Sequence, residues 1–139
     1  MSYPDAATTV VVLRPSERPV HDRGGGVSTI PLVTPAVGAR GLLNGITQFA
    51  PGAAVAFHSH DCEESVMLLE GEGVLEVDGR AIPLRPYDTT WIPAHVPHRF
   101  RNLSPAQPMR ILWIYARVDA TRTLIATGES RAIVSEHGS

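Results

Sequence analysis

Four residues of this chain have types and spacings that could hold a metal ion: His58, His60, Glu64 and His98. His58 and His60 are separated by one residue at the end of Ala53 to His60, a stretch that reads as a strand. Alternate residues of a strand project to one face, so both imidazoles are offered to the same ion. Asp61-Cys62-Glu63 can turn the chain, letting Glu64 return a carboxylate oxygen from the start of the next strand. The set then lacks a third nitrogen, and His98 is the best candidate. Three imidazoles and a carboxylate suit Fe, Mn, Ni, Co, Cu or Zn, whereas Mg and Ca prefer oxygen shells. On a six-coordinate ion, four protein ligands leave two positions for water, dioxygen or a chelating substrate.

Other residues compete for roles near this set. Glu63 and Glu64 are adjacent, so on a strand they face opposite ways and one alone can serve. Cys62 falls in the expected turn and reads as an incidental thiol. His95 stands three residues before His98. It could act as an acid or base at the barrel mouth, or be a polar loop residue. His21 and His137 have no constellation around them, and Arg99 and Arg101 alternate with His98, so they should point outward. The same alternation assigns Ala54 and Ala56 to the face of His58, Val66 and Leu68 to that of Glu64, and Phe100 and Asn102 to that of His98. Gln48 or Thr47 could add a polar anchor, and Trp91, Trp113 or Tyr115 an aromatic wall. Such a pocket suits a small, partly apolar molecule that chelates through oxygen.

The elements that must position these residues are short strands. Twelve Gly and twelve Pro interrupt the chain too often for long helices. Strands are expected at Val10 to Leu13, Thr29 to Val33, Leu42 to Phe49 (interrupted by Gly45) and Ala53 to His60. Further strands follow at Glu64 to Glu70, Val74 to Val77, Ala81 to Leu84, Thr89 to Ile92, His98 to Asn102, Arg110 to Val118 and Thr121 to Ala126. Gly71-Glu72-Gly73 and Asp78-Gly79 read as hairpin turns, the second requiring positive φ. Strands this short and regular point to an all-β sandwich or barrel. One domain is expected: an N-terminal strand and flexible arm over 1–28, a barrel over 29–127, and a weakly patterned tail over 128–139.

Composition narrows the function classes. The 139 residues fit one core, and the formal net charge is −2. All twelve basic residues are arginine, which excludes Schiff-base or P-loop lysine chemistry. They form no basic run, so neither nucleic acid nor an anionic membrane is expected as a partner. Cys62 is the single cysteine, so no internal disulfide forms. The first residues show no signal-peptide pattern, and the apolar runs are strand-length, so a cytoplasmic protein is expected.

The stretch Gly52, five residues, His58-Ser59-His60, three residues, Glu64, six residues, Gly71 resembles the first motif of the cupin superfamily at all five fixed positions. That motif count selects Glu64 over Glu63. Pro93, His98 and Asn102 fall at matching positions of the second cupin motif, which carries His98 over as the fourth ligand. Two positions depart: Tyr87 and His95 stand where the motif has glycine, and both departures concern turns. The resemblance implies a double-stranded antiparallel β-helix, the jelly-roll barrel. It also implies one divalent metal ion per chain held by His58, His60, Glu64 and His98. The implied activity is that of a metal-dependent, dioxygenase-like oxidoreductase, or of an isomerase or lyase. Its chemistry would be dioxygen activation or Lewis-acid stabilisation of an enolate, with Glu64 and His95 handling protons. A non-catalytic module that captures a small molecule through its metal is the alternative, because fold does not decide between them. A homodimer is expected, with Val10 to Leu13 or Thr121 to Ala126 crossing between subunits.

Overall fold

The computed structural model describes residues 10–137; the first nine residues of the expected arm and the end of the tail lie outside the described residues. Twelve strands are described: β1 (His21–Gly24), β2 (Val27–Pro31), β3 (Leu43–Phe49), β4 (His58–His60), β5 (Glu64–Glu70), β6 (Gly73–Val77), β7 (Arg80–Leu84), β8 (Thr89–Ile92), β9 (His98–Asn102), β10 (Met109–Tyr115), β11 (Thr121–Leu124) and β12 (Ser130–Ala132). They form two antiparallel six-stranded sheets, ordered β1-β2-β3-β10-β5-β8 and β12-β11-β4-β9-β6-β7. This is the all-β class expected from the strand pattern and the jelly roll that the family resemblance implies. Among the described residues, no helix is long and apolar enough to cross a membrane.

Period-two alternation builds the interior. In β5, Glu64, Val66 and Leu68 are buried between less buried neighbours; in β9, His98, Phe100 and Asn102 repeat the pattern. Strand β10 turns Met109, Ile111, Trp113 and Tyr115 inward. Together with Leu43 and Phe49 of β3, these apolar side chains form one core shared by both sheets. Each fully buried Leu, Val or Phe contributes about 1.5–3 kcal/mol of transfer free energy. Gly45 does not break β3, which pairs continuously with β10. It is required there because a Cβ would collide with the Trp113 ring.

Three expectations are corrected at the flanks. Val10 to Leu13 is not a strand; Leu13 instead packs on the outer-face cluster of Ile30, Leu32 and Ile46. The segment expected to be a flexible arm contains β1, which forms a hairpin with β2. Gly24, Gly25 and Gly26 all adopt positive φ, so the glycine run is the turn and not a tether. In the tail, β12 pairs with β11, and the turn Ile133–His137 buries Ile133 in the main core.

A fourth correction bears on the site. Ala53 to Phe57 is extended chain with a single bridge, Ala54 to Arg101, and β4 is just His58–His60. Strand parity therefore fails upstream of His58: Ala53 is buried, while Ala56 is exposed. At the Asp78-Gly79 turn both residues have positive φ, 51° and 70°, as a two-residue hairpin turn of that type requires.

Candidate metal centre

The four residues singled out by spacing converge inside the barrel from three strands. His58 and His60 come from β4, His98 from β9 and Glu64 from β5; all are 4% exposed or less. His58 pairs directly with His98 across the β4–β9 ladder. One ring nitrogen each from His58, His60 and His98 lies within 4.8 Å of the others.

Backbone carbonyls fix which nitrogen faces inward. His58 Nδ1 lies 2.7 Å from Ala56 O, His60 Nδ1 3.0 Å from Thr121 O, and His98 Nδ1 2.8 Å from Val96 O. A carbonyl oxygen only accepts, so each Nδ1 carries a hydrogen, and a neutral ring held this way presents its lone pair on Nε2. This is the outer-shell arrangement that orients metal-ligating imidazoles.

The inward atoms are then left wanting a cation. Glu64 Oε1 is 2.9 Å from His98 Nε2 and 3.6 Å from His60 Nε2. An imidazole lone pair facing a carboxylate oxygen is an acceptor facing an acceptor, which only a shared proton or a metal ion between them relieves. His60 Nε2 is buried with no hydrogen-bond partner among the described residues. Burial, with the neighbouring His98 and His60 rings, lowers the His58 pKa to about 3; burial also lowers that of His60. Protons are thus poor substitutes for the missing charge, and the donor set fits a divalent transition-metal ion.

Glu63 and Glu64 part as strand geometry requires. Glu64 is buried in the cluster, whereas Glu63 accepts a hydrogen bond from the exposed Trp91 indole at 2.9 Å. Burial would raise the Glu64 pKa, but the His98 hydrogen bond and the imidazole charges outweigh it and hold the carboxyl below its ordinary value. Cys62 is a buried core residue; burial raises its pKa, so it is not an activated thiol.

The structure sorts the expected pocket residues. Val66, Leu68 and Phe100 line the barrel interior with the histidine–carboxylate cluster. Gln48 does not: it sits on the outer face of β3, and its amide donates to Ser28 Oγ. Thr47 is the inward neighbour, taking a 2.8 Å hydrogen bond from Trp113 Nε1. Ala56 is exposed, because no strand register holds it on the face of His58. Asn102 is buried but committed to structure, donating to Phe49 O, Ala50 O and Gln107 O and accepting from Ser104 N. Trp91 is 65% exposed and no part of an interior wall. Arg99 and Arg101 point outward, as expected, and both pair with Glu76.

His95 is exposed, and its imidazole is not brought into the cluster; its backbone N–H donates to His60 O at 2.7 Å. Its φ is 67°, and Tyr87 likewise has φ 76°. Both positions where glycine gave way thus keep the left-handed conformation that glycine favours. The turns are preserved at the expense of local strain.

Sequence reasoning undervalued Tyr115 and missed the surroundings of its hydroxyl. The Tyr115 ring lies 4.6 Å from that of His60, and its phenol is buried beside Glu64. Desolvation and the Glu64 charge push its pKa well above the ordinary value, so it remains a protonated donor. Also missed were Arg23, Arg122 and Glu136, which close the barrel beyond Tyr115. A charged residue on a short strand reads as outward-facing, and nothing in the tail marks Glu136.

A jelly-roll barrel with three converging imidazoles and a carboxylate defines the class of protein, and the comparisons agree. The Cupin domain family matches residues 45–115, and this chain belongs to it. A curated relative, "Polyketide synthase CurC" from Streptomyces cyaneus, is 38% identical over 87 residues, covering 61% of this chain and 55% of that protein. An uncharacterized protein from Methanocaldococcus jannaschii is 32% identical over 62 residues, 44% of this chain and 49% of its own length. The chain therefore spans about half the length of the curated relatives it matches. Among solved structures, the polyketide cyclase RemF from Streptomyces resistomycificus superposes with a TM-score of 0.73 at 20% identity, covering 90% of this chain and 86% of that one. A predicted oxalate decarboxylase from Thermotoga maritima gives 0.68 at 23% identity, over 77% and 99%. Those two likenesses are of fold.

Proposed function

We propose that this chain is a metal-dependent enzyme that closes a ring in a small, partly apolar poly-β-carbonyl compound. The carrying observation is the convergence of three imidazole Nε2 atoms and Glu64 beside the buried Tyr115 hydroxyl, within a mainly apolar interior. A divalent ion held by His58, His60, His98 and Glu64 would supply Lewis acidity toward a pair of substrate oxygens. Glu64 is the buried carboxylate placed to accept a proton from an acidic CH2 group. Tyr115, kept protonated by desolvation, is the donor placed to stabilise developing charge on oxygen. Val66, Leu68 and Phe100 keep water from the reacting atoms. An aldol closure of this kind forms one carbon–carbon bond, moves one proton from carbon to oxygen and requires no redox partner. His95 is left out, because its side chain is exposed. The names of the Streptomyces cyaneus relative and of the Streptomyces resistomycificus cyclase support the substrate class.

A dioxygenase-like activity is the second reading, favoured by a donor set that also suits iron. Protein reconstituted separately with Zn, Mn, Ni and Fe(II) and incubated with a linear 3,5-diketo acid distinguishes them. Ring closure without oxygen consumption supports the cyclase; oxygen uptake with Fe(II) replaces it with the dioxygenase. Binding without turnover across all four metals would overturn both and leave a non-catalytic capture module.

A further inference from the structure

Arg122 of β11 lies directly opposite His60 of β4, so the two side chains share a face of the sheet. Its guanidinium is already occupied. Arg122 Nη1 donates to Glu136 Oε2 at 2.6 Å, and Arg23 Nη2, from β1, donates to the same oxygen at 3.1 Å. Glu136 arrives from the turn that succeeds β12.

These three side chains form a partition. On their inner side they bound a cavity of about 10 Å³ together with Thr29, Thr47, Trp113 and Tyr115, which is room for about one water. On their outer side the same three line a groove of about 430 Å³ with Asp22, Leu124 and Glu129. By this route, nothing larger than water passes to Tyr115 and His60 while Glu136 is in place. The occupant is also poorly matched. Glu136 Oε1 and Arg122 Nε are both buried without a hydrogen-bond partner among the described residues. The unmatched Oε1 carries a desolvation cost that offsets part of what the two arginine contacts contribute. A mobile carboxylate in bidentate contact could satisfy both arginines, as guanidinium geometry favours. The turn is anchored at its start, where Ile133 is buried and its N–H donates to Ala120 O at 2.8 Å. Beyond Ile133 the hold is lighter, with Val134 half-buried against the core and Ser135 exposed, so Glu136 can leave the arginines while Ile133 stays in place.

We propose that Arg23 and Arg122 form a carboxylate subsite, that Glu136 fills it as an internal stand-in for a substrate carboxylate, and that substrate binding displaces the segment from Val134 to Glu136. This rests on reading the barrel interior as the substrate site, and it narrows the substrate to an acid: one end held by the arginines, the oxygen-rich remainder directed past Tyr115.

Benzoate is the probe, titrated calorimetrically into metal-free protein. Glu136→Ala should bind benzoate at least tenfold more tightly than wild type, while neutral benzamide shows no gain. Adding Arg122→Gln to that variant should return benzoate affinity to the wild-type level; should that double variant not fold by circular dichroism, Arg23→Gln takes its place. In wild type, saturating benzoate should speed hydrogen exchange at the Ser135 and Glu136 amides. The proposal is overturned if Glu136→Ala gains no benzoate affinity, gains equally for benzamide, or keeps its gain without the arginine. Bound benzoate that leaves exchange at Ser135 and Glu136 unchanged would equally overturn it. No metal is needed for these measurements, so the two readings fail separately. A benzoate gain in a protein that never holds metal would sink the proposed function and leave the subsite; metal-dependent turnover without the gain would do the reverse.

Discussion

At the scale of single residues, the cluster depends on four side chains that cannot be exchanged for one another. His58→Ala or His98→Ala should remove most bound metal from reconstituted protein, because water replaces a lost imidazole poorly in an incomplete shell. Glu64→Gln should weaken metal binding while Glu63→Gln spares it, since Glu63 serves the Trp91 indole outside the barrel. Elemental analysis of the four variants checks this; a Glu63→Gln protein that loses metal would contradict the assignment. The lowered His58 pKa carries a pH signature for the metal-free protein. Between its ordinary 6.5 and about 3, the unfolded chain binds a proton that the folded chain refuses. Stability should therefore fall as pH drops below about 6.5 and level off near 3, with Glu64 adding to the loss below its ordinary 4.5. Urea midpoints measured across that range, flat from pH 7 to 4, would exclude the buried-neutral assignment.

At the scale of elements, two left-handed turns hold the strands that carry the converging histidines and Glu64. Tyr87 N–H donates to Leu68 O within β5, and His95 N–H donates to His60 O at the end of β4. Each turn uses backbone, so glycine keeps the bond and relieves the strain. Tyr87→Gly and His95→Gly should each raise stability by about 1 kcal/mol, the low end of the left-handed penalty. Because Tyr87 is 75% exposed, little burial is lost with its ring. His95→Gly should also leave metal content and turnover unchanged. Loss of turnover at full metal content would instead return a proton-transfer role to His95. Both turns were visible in the sequence as departures from glycine, but the conformation adopted there was not. A motif position records which residue is easiest to place, while the chain on either side decides the dihedral.

At the scale of the whole molecule, the site ties together strands from both sheets, so the metal and the fold should be coupled. A chelator that strips the ion at neutral pH should lower the melting temperature. An ion held at about a thousand times its Kd stabilises by about 4 kcal/mol through mass action. An unchanged melting temperature after verified metal loss would break this coupling. The expected homodimer remains a proposal with a changed basis. Val10, Val11 and Val12 are 53–88% exposed and form no strand within the subunit. An unpaired valine run of this kind is suited to pairing with an edge strand of a second copy. Light scattering should give a dimer mass that Val11→Lys shifts to monomer; a wild-type monomer at micromolar concentration would remove the proposal.

Sequence by itself determined the four residues that converge in the barrel, the all-β class and the strands whose alternation is strict, β5, β9 and β10. In those elements chemistry and period-two burial coincide, and burying one face fixes the other. Tertiary structure alone decided where non-periodic segments go. The glycine run became a hairpin turn, Ala53 to Phe57 stayed out of the sheet, and Gln48 gave its place in the interior to Thr47. It alone brought Arg23, Arg122 and Glu136 together, side chains whose contacts span up to 113 residues of chain. Local pattern assigns a charged residue to solvent by default; its burial here is set by a partner carboxylate that no local window contains.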